Sequence, residues 1–147
     1  MQTVSQMVKT NPQAPLVPPA ALIQAIETCI LCEQTCSACA DACLGEPDPK
    51  PLVRCVRLNL DCADVCSATA RMLSRHLHAD PTLLAQQVAL CAIACALCAG
   101  ECERHAREHE HCRVCAEMCR NCERQCREFV ESRADLTPAH VPSRIGD

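Results

Sequence analysis

Aromatic side chains are almost missing: the 147 residues include one Phe and neither Tyr nor Trp. Ring-lined ligand pockets and base-stacking nucleic-acid platforms both rely on such side chains, so both function classes lack their usual material. Glycine is scarce too, at three residues, which argues against a turn-rich all-β fold. Nor is there a basic surplus. The formal net charge is −4 and no basic stripe stands out, so no nucleic-acid partner is expected. The N-terminal run Met1-Gln2-Thr3-Val4-Ser5-Gln6-Met7-Val8-Lys9 reaches Pro12, Pro15, Pro18 and Pro19 without the apolar region of an export signal. No apolar run of about 18 residues is expected to cross a membrane. These absences predict a cytoplasmic protein without a membrane partner.

What the chain has in excess is cysteine, at 17 residues. Above roughly 8–10% Cys the usual reading is a secreted disulfide scaffold. Without an export signal that reading loses its oxidising compartment, and dense thiols in a reducing one point to metal. The odd count also leaves at least one thiol without an internal partner. A purely structural role is a poor explanation. Leu or Val at the same positions would bury more apolar area, at roughly 25 cal/mol per Å², so reactivity rather than packing accounts for the choice of Cys.

Length suits one domain. Residues 1–17 carry Pro and Gln with weak patterning and are expected to be a mobile N-terminal segment. Helices are predicted over about 18–44, 52–78, 81–108 and 111–133, together forming a domain over 18–133, with a loose C-terminal tail at 134–147. Pro18-Pro19 suits a helix start, and Gly45-Glu46-Pro47-Asp48-Pro49-Lys50-Pro51 is the clearest break. Asp80-Pro81 reads as an N-cap followed by Pro at the first helical position. Four helices joined by short connections predict an all-α, antiparallel up-down-up-down four-helix bundle with a cysteine-lined core.

The cysteines carry the pattern. Cys29, Cys32, Cys36, Cys39 and Cys43 advance by alternating steps of three and four, and Cys112, Cys115, Cys119, Cys122 and Cys126 repeat those steps. At about 100° per residue each set falls within an arc of roughly 80°. Cys91, Cys95, Cys98 and Cys102 span roughly 60°, and Cys55, Cys62 and Cys66 roughly 40°. Every cysteine therefore lies on one stripe of its helix, where a coiled-coil seam would carry Leu. Glu33, Asp41, Arg54, Arg57, Glu103, Arg113, Glu117 and Arg124 stand off those stripes and mark the solvated faces. Intrahelical neighbours, about 5–6 Å apart at Cβ, are too far apart for disulfides.

Soft thiolates select Cu(I), Zn²⁺ or iron–sulfur clusters. Zn²⁺ on four thiolates leaves a net −2, and stacking such sites in a dry core is repulsive. One Cu(I) per thiolate is neutral, so a continuous tube of sites can be buried, and all 17 cysteines become candidate Cu(I) ligands. The ferredoxin run ending C-x-x-x-C-P is absent, since no cysteine here precedes Pro. An iron–sulfur or thiol-based electron carrier and a zinc-buffering, metallothionein-like protein remain the alternatives. No catalytic histidine singles out one thiol, so no enzyme is expected. In an up-down bundle Cys43, Cys55, Cys102 and Cys112 share one end with His105, His109 and His111, which predicts a histidine-lined mouth for copper. Leu22, Ile26, Leu73, Leu77, Leu84, Val88, Phe129 and Val130 should plug the other end, while His76, His78 and His140 read as surface residues.

With these residues in view, the chain resembles the cytosolic four-helix-bundle copper storage proteins over roughly Ala20 to Arg133. The resemblance rests on the C-x-x-C-x-x-x-C-x-x-C-x-x-x-C runs of the first and last helices, the cysteines between them, and the corner of His105, His109 and His111. It implies reversible storage of many Cu(I) ions per chain and copper tolerance. It also implies assembly into a homo-oligomer, a tetramer; a copper chaperone or recipient protein is a further expected partner.

Overall fold

Prolines and an aspartate set where the long helices begin. The computed structural model describes residues 1–131. Helix α1 covers Gln2–Thr10, α2 Pro19–Leu44, α3 Val53–Leu73, α4 Pro81–His105 and α5 Glu110–Glu131. Pro19 opens α2, where its fixed φ suits a helix and its missing N–H leaves no donor unpaired. Asp80 caps α4: its carboxylate accepts from the Leu83 N–H at 2.8 Å, with Pro81 in the first turn. Gly45 ends α2 and donates to the carbonyls of Asp41 and Ala42 at 3.0 and 3.1 Å. A single 3₁₀ turn, Lys50–Leu52, then leads into α3.

The long helices form a ring in which α2 packs on α3 and α5, and α4 packs on α3 and α5. Direction follows from the cysteines. Cys29 and Cys126 meet at one end of the α2–α5 pair while Cys43 and Cys112 meet at the other, so these helices are antiparallel. Cys66–Cys91 and Cys55–Cys102 show the same for α3 and α4. The outcome is the antiparallel four-helix bundle that the cysteine stripes predicted.

Several expectations are corrected. The N-terminal segment is not featureless: α1 lies against α2, with Val8 and Val17 buried at 7% and 5% exposure. Its signal is weak because only Val4 and Val8, one turn apart, face the bundle. Helix α3 stops at Leu73 instead of about residue 78, because the chain turns there and His78 takes a left-handed conformation with φ 52°. Leu77, placed by sequence in the apolar plug, is consequently 65% exposed. Both ring nitrogens of His76 are buried without a hydrogen-bond partner, so it is not a plain surface residue. Helix α4 closes at His105, short of residue 108, in a turn where the His109 N–H donates to the His105 carbonyl at 2.9 Å. Finally, α4 is by length and composition apolar enough to cross a membrane, because its cysteines and alanines count as apolar. Those same side chains, Cys91, Ala92, Cys95, Cys98, Ala99 and Cys102, are buried within the bundle. Positions 132–133 of the last predicted helix, the tail 134–147 and His140 lie outside the described residues.

The plug is otherwise as expected. Leu22, Ile26, Leu73, Leu84, Val88 and Phe129 are buried, and Val130 packs against them. Between plug and mouth the core is almost wholly cysteine.

Candidate metal centre

All 17 cysteines are buried and none is in a disulfide. On α2, α3 and α5 charged side chains such as Glu33, Arg57 and Glu117 occupy the outer faces and turn the stripes inward, whereas α4 leaves Leu83, Leu90, Ile93 and Leu97 exposed on its outer face. For the first three the cost of burying ionised groups leaves one possible rotation. Facing sulfurs come close: Cys36–Cys119 are 3.4 Å apart, Cys55–Cys102 3.5 Å, Cys66–Cys91 3.6 Å and Cys32–Cys119 3.8 Å. A disulfide bond measures about 2.05 Å, so these are separate thiols.

The thiols form connected sets. Among the clusters whose sulfurs all lie within 4.8 Å of one another are Cys29/Cys91/Cys122/Cys126, Cys32/Cys66/Cys95/Cys122, Cys32/Cys36/Cys62/Cys119 and Cys36/Cys98/Cys115/Cys119. Cys122 belongs to the first and second, Cys32 to the second and third, and Cys36 and Cys119 to the third and fourth. Sulfurs shared between successive clusters can bridge metal ions, which isolated tetrahedral sites do not require. Two sulfurs flanking one ion at a bond length of about 2.3 Å lie on the order of 4–4.6 Å apart. The apo spacing is slightly tighter, so loading needs only small rotamer changes.

At the mouth a fifth group joins Cys39, Cys43 and Cys112 to His111. Its Nδ1 lies 3.6, 3.9 and 3.5 Å from those three sulfurs. The other ring nitrogen meets Glu46 at 2.8 Å, and the same carboxylate oxygen meets His109 Nδ1 at 2.9 Å. The two histidines hold the Glu46 carboxyl below the usual carboxylate range, His111 more than His109. Of the three predicted histidines only His111 reaches the thiols. His109 is bound through Glu46, and His105 meets the buried Glu101 at 3.2 Å, with Arg54 on the other oxygen at 3.1 Å.

Sequence reasoning missed Glu46, Glu101 and Asn59. Asn59 is 0% exposed and lies inside the thiol tube. Its amide donates to the Cys55 and Cys102 sulfurs at 3.4 and 3.5 Å, and its oxygen accepts from Cys115 at 2.9 Å and Cys98 at 3.4 Å. A signal existed: Cys55, Asn59, Cys62 and Cys66 advance by four, three and four, so Asn59 fills the vacant stripe position on α3. Glu46 and Glu101 had no such signal, because their roles depend on groups distant in sequence.

Burial and thiol–thiol contact set the protonation of the copper-free core. Cys112 is pushed up to about 12, first by desolvation and then by Cys43 nearby. Cys29 rises through hydrogen bonding to Cys122, Cys126 and Cys91 together with burial. Cys62, Cys115 and Cys122 move the other way, lowered by hydrogen bonds from neighbouring thiols against the cost of burial, so the copper-free core is a network of thiols displaced in both directions.

Comparison with known proteins gives the same picture. One solved relative is the copper storage protein Ccsp from Streptomyces lividans loaded with 10 copper equivalents. The two chains are 48% identical and superpose with a TM-score of 0.85, covering 87% of this chain and 98% of the other. A second is a cytosolic copper storage protein from Streptomyces lividans with five coppers, at 52% identity, TM-score 0.75 and coverage of 76% and 93%. A cysteine-rich Bacillus subtilis protein, YhjQ, is 37% identical over 70 residues, which is 48% of this chain and 61% of that relative's length. The sequence pattern of the copper storage proteins matches residues 19–131, the whole of the four-helix bundle, and this chain belongs to that family.

Proposed function

We propose that this protein stores Cu(I) in the cytosol, holding many ions per chain on its core thiolates without catalysis. The observation that carries the reading is the sharing of Cys32, Cys36, Cys119 and Cys122 between successive clusters. Bridging sulfurs suit a neutral copper–thiolate string, whereas Zn²⁺ at about four thiolates per ion leaves negative charge that accumulates along a buried tube. The ligands are Cys29, Cys32, Cys36, Cys39, Cys43, Cys55, Cys62, Cys66, Cys91, Cys95, Cys98, Cys102, Cys112, Cys115, Cys119, Cys122 and Cys126. His111 acts as a mouth ligand, while His105 and His109 line the approach. Copper arrives from a chaperone or small carrier at this end, and the loaded ions form a reserve that also confers tolerance. The chain assembles as a homo-oligomer, in keeping with Val53 and Leu60, seven residues apart on α3 and 65% and 47% exposed.

The test is an anaerobic Cu(I) titration of the reduced protein against a high-affinity chromogenic chelator. Uptake of about one Cu(I) per cysteine, retained against the chelator, is the expected result. Saturation at a few ions with ready loss would return zinc buffering or electron transfer to the front.

A further inference from the structure

The thiol tube is sealed along nearly its whole length. Fourteen of the 17 cysteines are 0% exposed, including Cys43 and Cys112 beside the mouth. The three exceptions are Cys39 at 3%, Cys126 at 2% and Cys29 at 1%. Cys39 is explained by its place next to His111. Cys126 and Cys29 lie at the opposite end, and both belong to the cluster Cys29/Cys91/Cys122/Cys126. The only thiols away from the mouth with any solvent contact are thus two members of one set of four.

A surface groove lies over that set. It has a volume of about 210 Å³, runs between α4 and α5, and is lined by Ala89, Ala92, Ile93, Cys126, Arg127, Val130 and Glu131. Ala89 and Ala92 leave open, beside Cys126, space that larger side chains would fill, and Ile93 stands at its rim. Arg127 at its rim is tied to Glu123 at 2.8 Å. The apolar plug of Leu22, Ile26, Leu84, Val88 and Phe129 closes the tube along its axis. The groove approaches from the side, at the level where the plug residues Val88 and Val130 meet the base cluster.

We propose that this groove is a second, lateral exchange port through which a compact soft ligand, a low-molecular-weight thiol, reaches the base cluster via Cys126. The incoming thiol binds copper as its thiolate, the Cu–S bond to Cys126 breaks, and the proton of the incoming thiol passes to the Cys126 sulfur. Copper stays Cu(I) and no electron moves. The groove has room for a cysteine-sized molecule beside Cys126, whereas a bidentate chelator must bring two donor atoms to one ion past a thiol only 2% exposed. Ions at the base can then leave without the whole string draining through the histidine mouth.

The port rests on the storage reading, but its first test uses copper-free protein and so stands or falls separately. Reduced apo-protein is treated anaerobically with limiting iodoacetamide, and labelling is mapped cysteine by cysteine by peptide mass spectrometry. Cys126 should label roughly tenfold faster than Cys62, Cys66 and Cys95, since access governs thiol reactivity. Ala89→Leu, which fills the groove from a half-buried position, should slow Cys126 about fivefold and leave Cys39 unchanged. Ile93→Phe, at a residue 53% exposed, obstructs the rim with little risk to folding and should act in the same direction. In the copper-loaded protein, both variants should slow removal by free cysteine but not removal by a bulky chelator. Cys126 labelling no faster than Cys95, labelling that ignores both substitutions, or equal slowing of all cysteines would each overturn the port. So would equal slowing of both extractants.

Discussion

At the mouth, one carboxylate organises two imidazoles. Glu46 bonds to His109 and to His111, leaving the second His111 nitrogen facing Cys39, Cys43 and Cys112. The residues therefore divide into one that touches the thiols and two that line the way to them. Replacing His105, His109 and His111 with Ala should slow loading or removal severalfold while removing little capacity, because the cysteine ladder is untouched. Stopped-flow competition with a chelator measures this, and an unchanged exchange rate would defeat the mouth assignment. Asn59 illustrates a different limit of sequence reading. Its stripe position was visible in the spacing of Cys55, Cys62 and Cys66, but a lone Asn on a helix reads as polar surface. Only with four thiols from three helices around it does its burial make sense.

Among the elements, those with strong punctuation were the most legible. Asp80-Pro81 sets the start of α4, and the Gly45–Pro51 break separates α2 from α3. Asp80→Ala removes the only side-chain acceptor capping α4 and should cost about 1 kcal/mol. Urea unfolding of the apo-protein should show that loss with copper capacity unchanged, because the cap lies at the plug end, away from the ladder. A reduced capacity would mean that α4 had shifted its stripe. Helix α1 and the end of α3 were less legible. Helix α1 is short, and it is held by packing Val4 and Val8 against the bundle, which local pattern does not report. The end of α3 depends on a left-handed His78, a conformation that His adopts only uncommonly.

For the whole molecule, protonation couples stability to cargo. Cys112 is raised to about 12 by burial and by Cys43, and Cys36 and Cys39 are raised by neighbouring thiols and burial. In the unfolded chain a thiol ionises near its ordinary value of about 8.5. For these raised thiols both states are protonated below that pH and their contribution is fully present, whereas thiols lowered by their neighbours, such as Cys62 and Cys122, add no slope above it. Above it the unfolded state sheds protons that the fold retains, so stability is lost as pH rises from about 8.5 toward 12. Each such thiol contributes about 1.4 kcal/mol per pH unit to that slope. Apo-protein melts should therefore fall in midpoint above about pH 8.5, and copper-loaded protein, its thiols already deprotonated by the metal, should hold level. Parallel decline of both forms would show that thiol ionisation is not the coupled event.

The sequence by itself determined the four long helices, the cysteine face of each and the chemistry that face offers. Helical periodicity converts a three-and-four spacing of cysteines directly into a stripe. It also placed the chain in the copper storage family. Only the tertiary structure decided which thiols share a cluster, that Asn59 and Glu46 join the site, that His105 and His109 stand back from it, and that the base cluster has a lateral opening. Those outcomes depend on helix register and on distances between residues far apart in the chain, and neither is encoded in the spacing along any one helix.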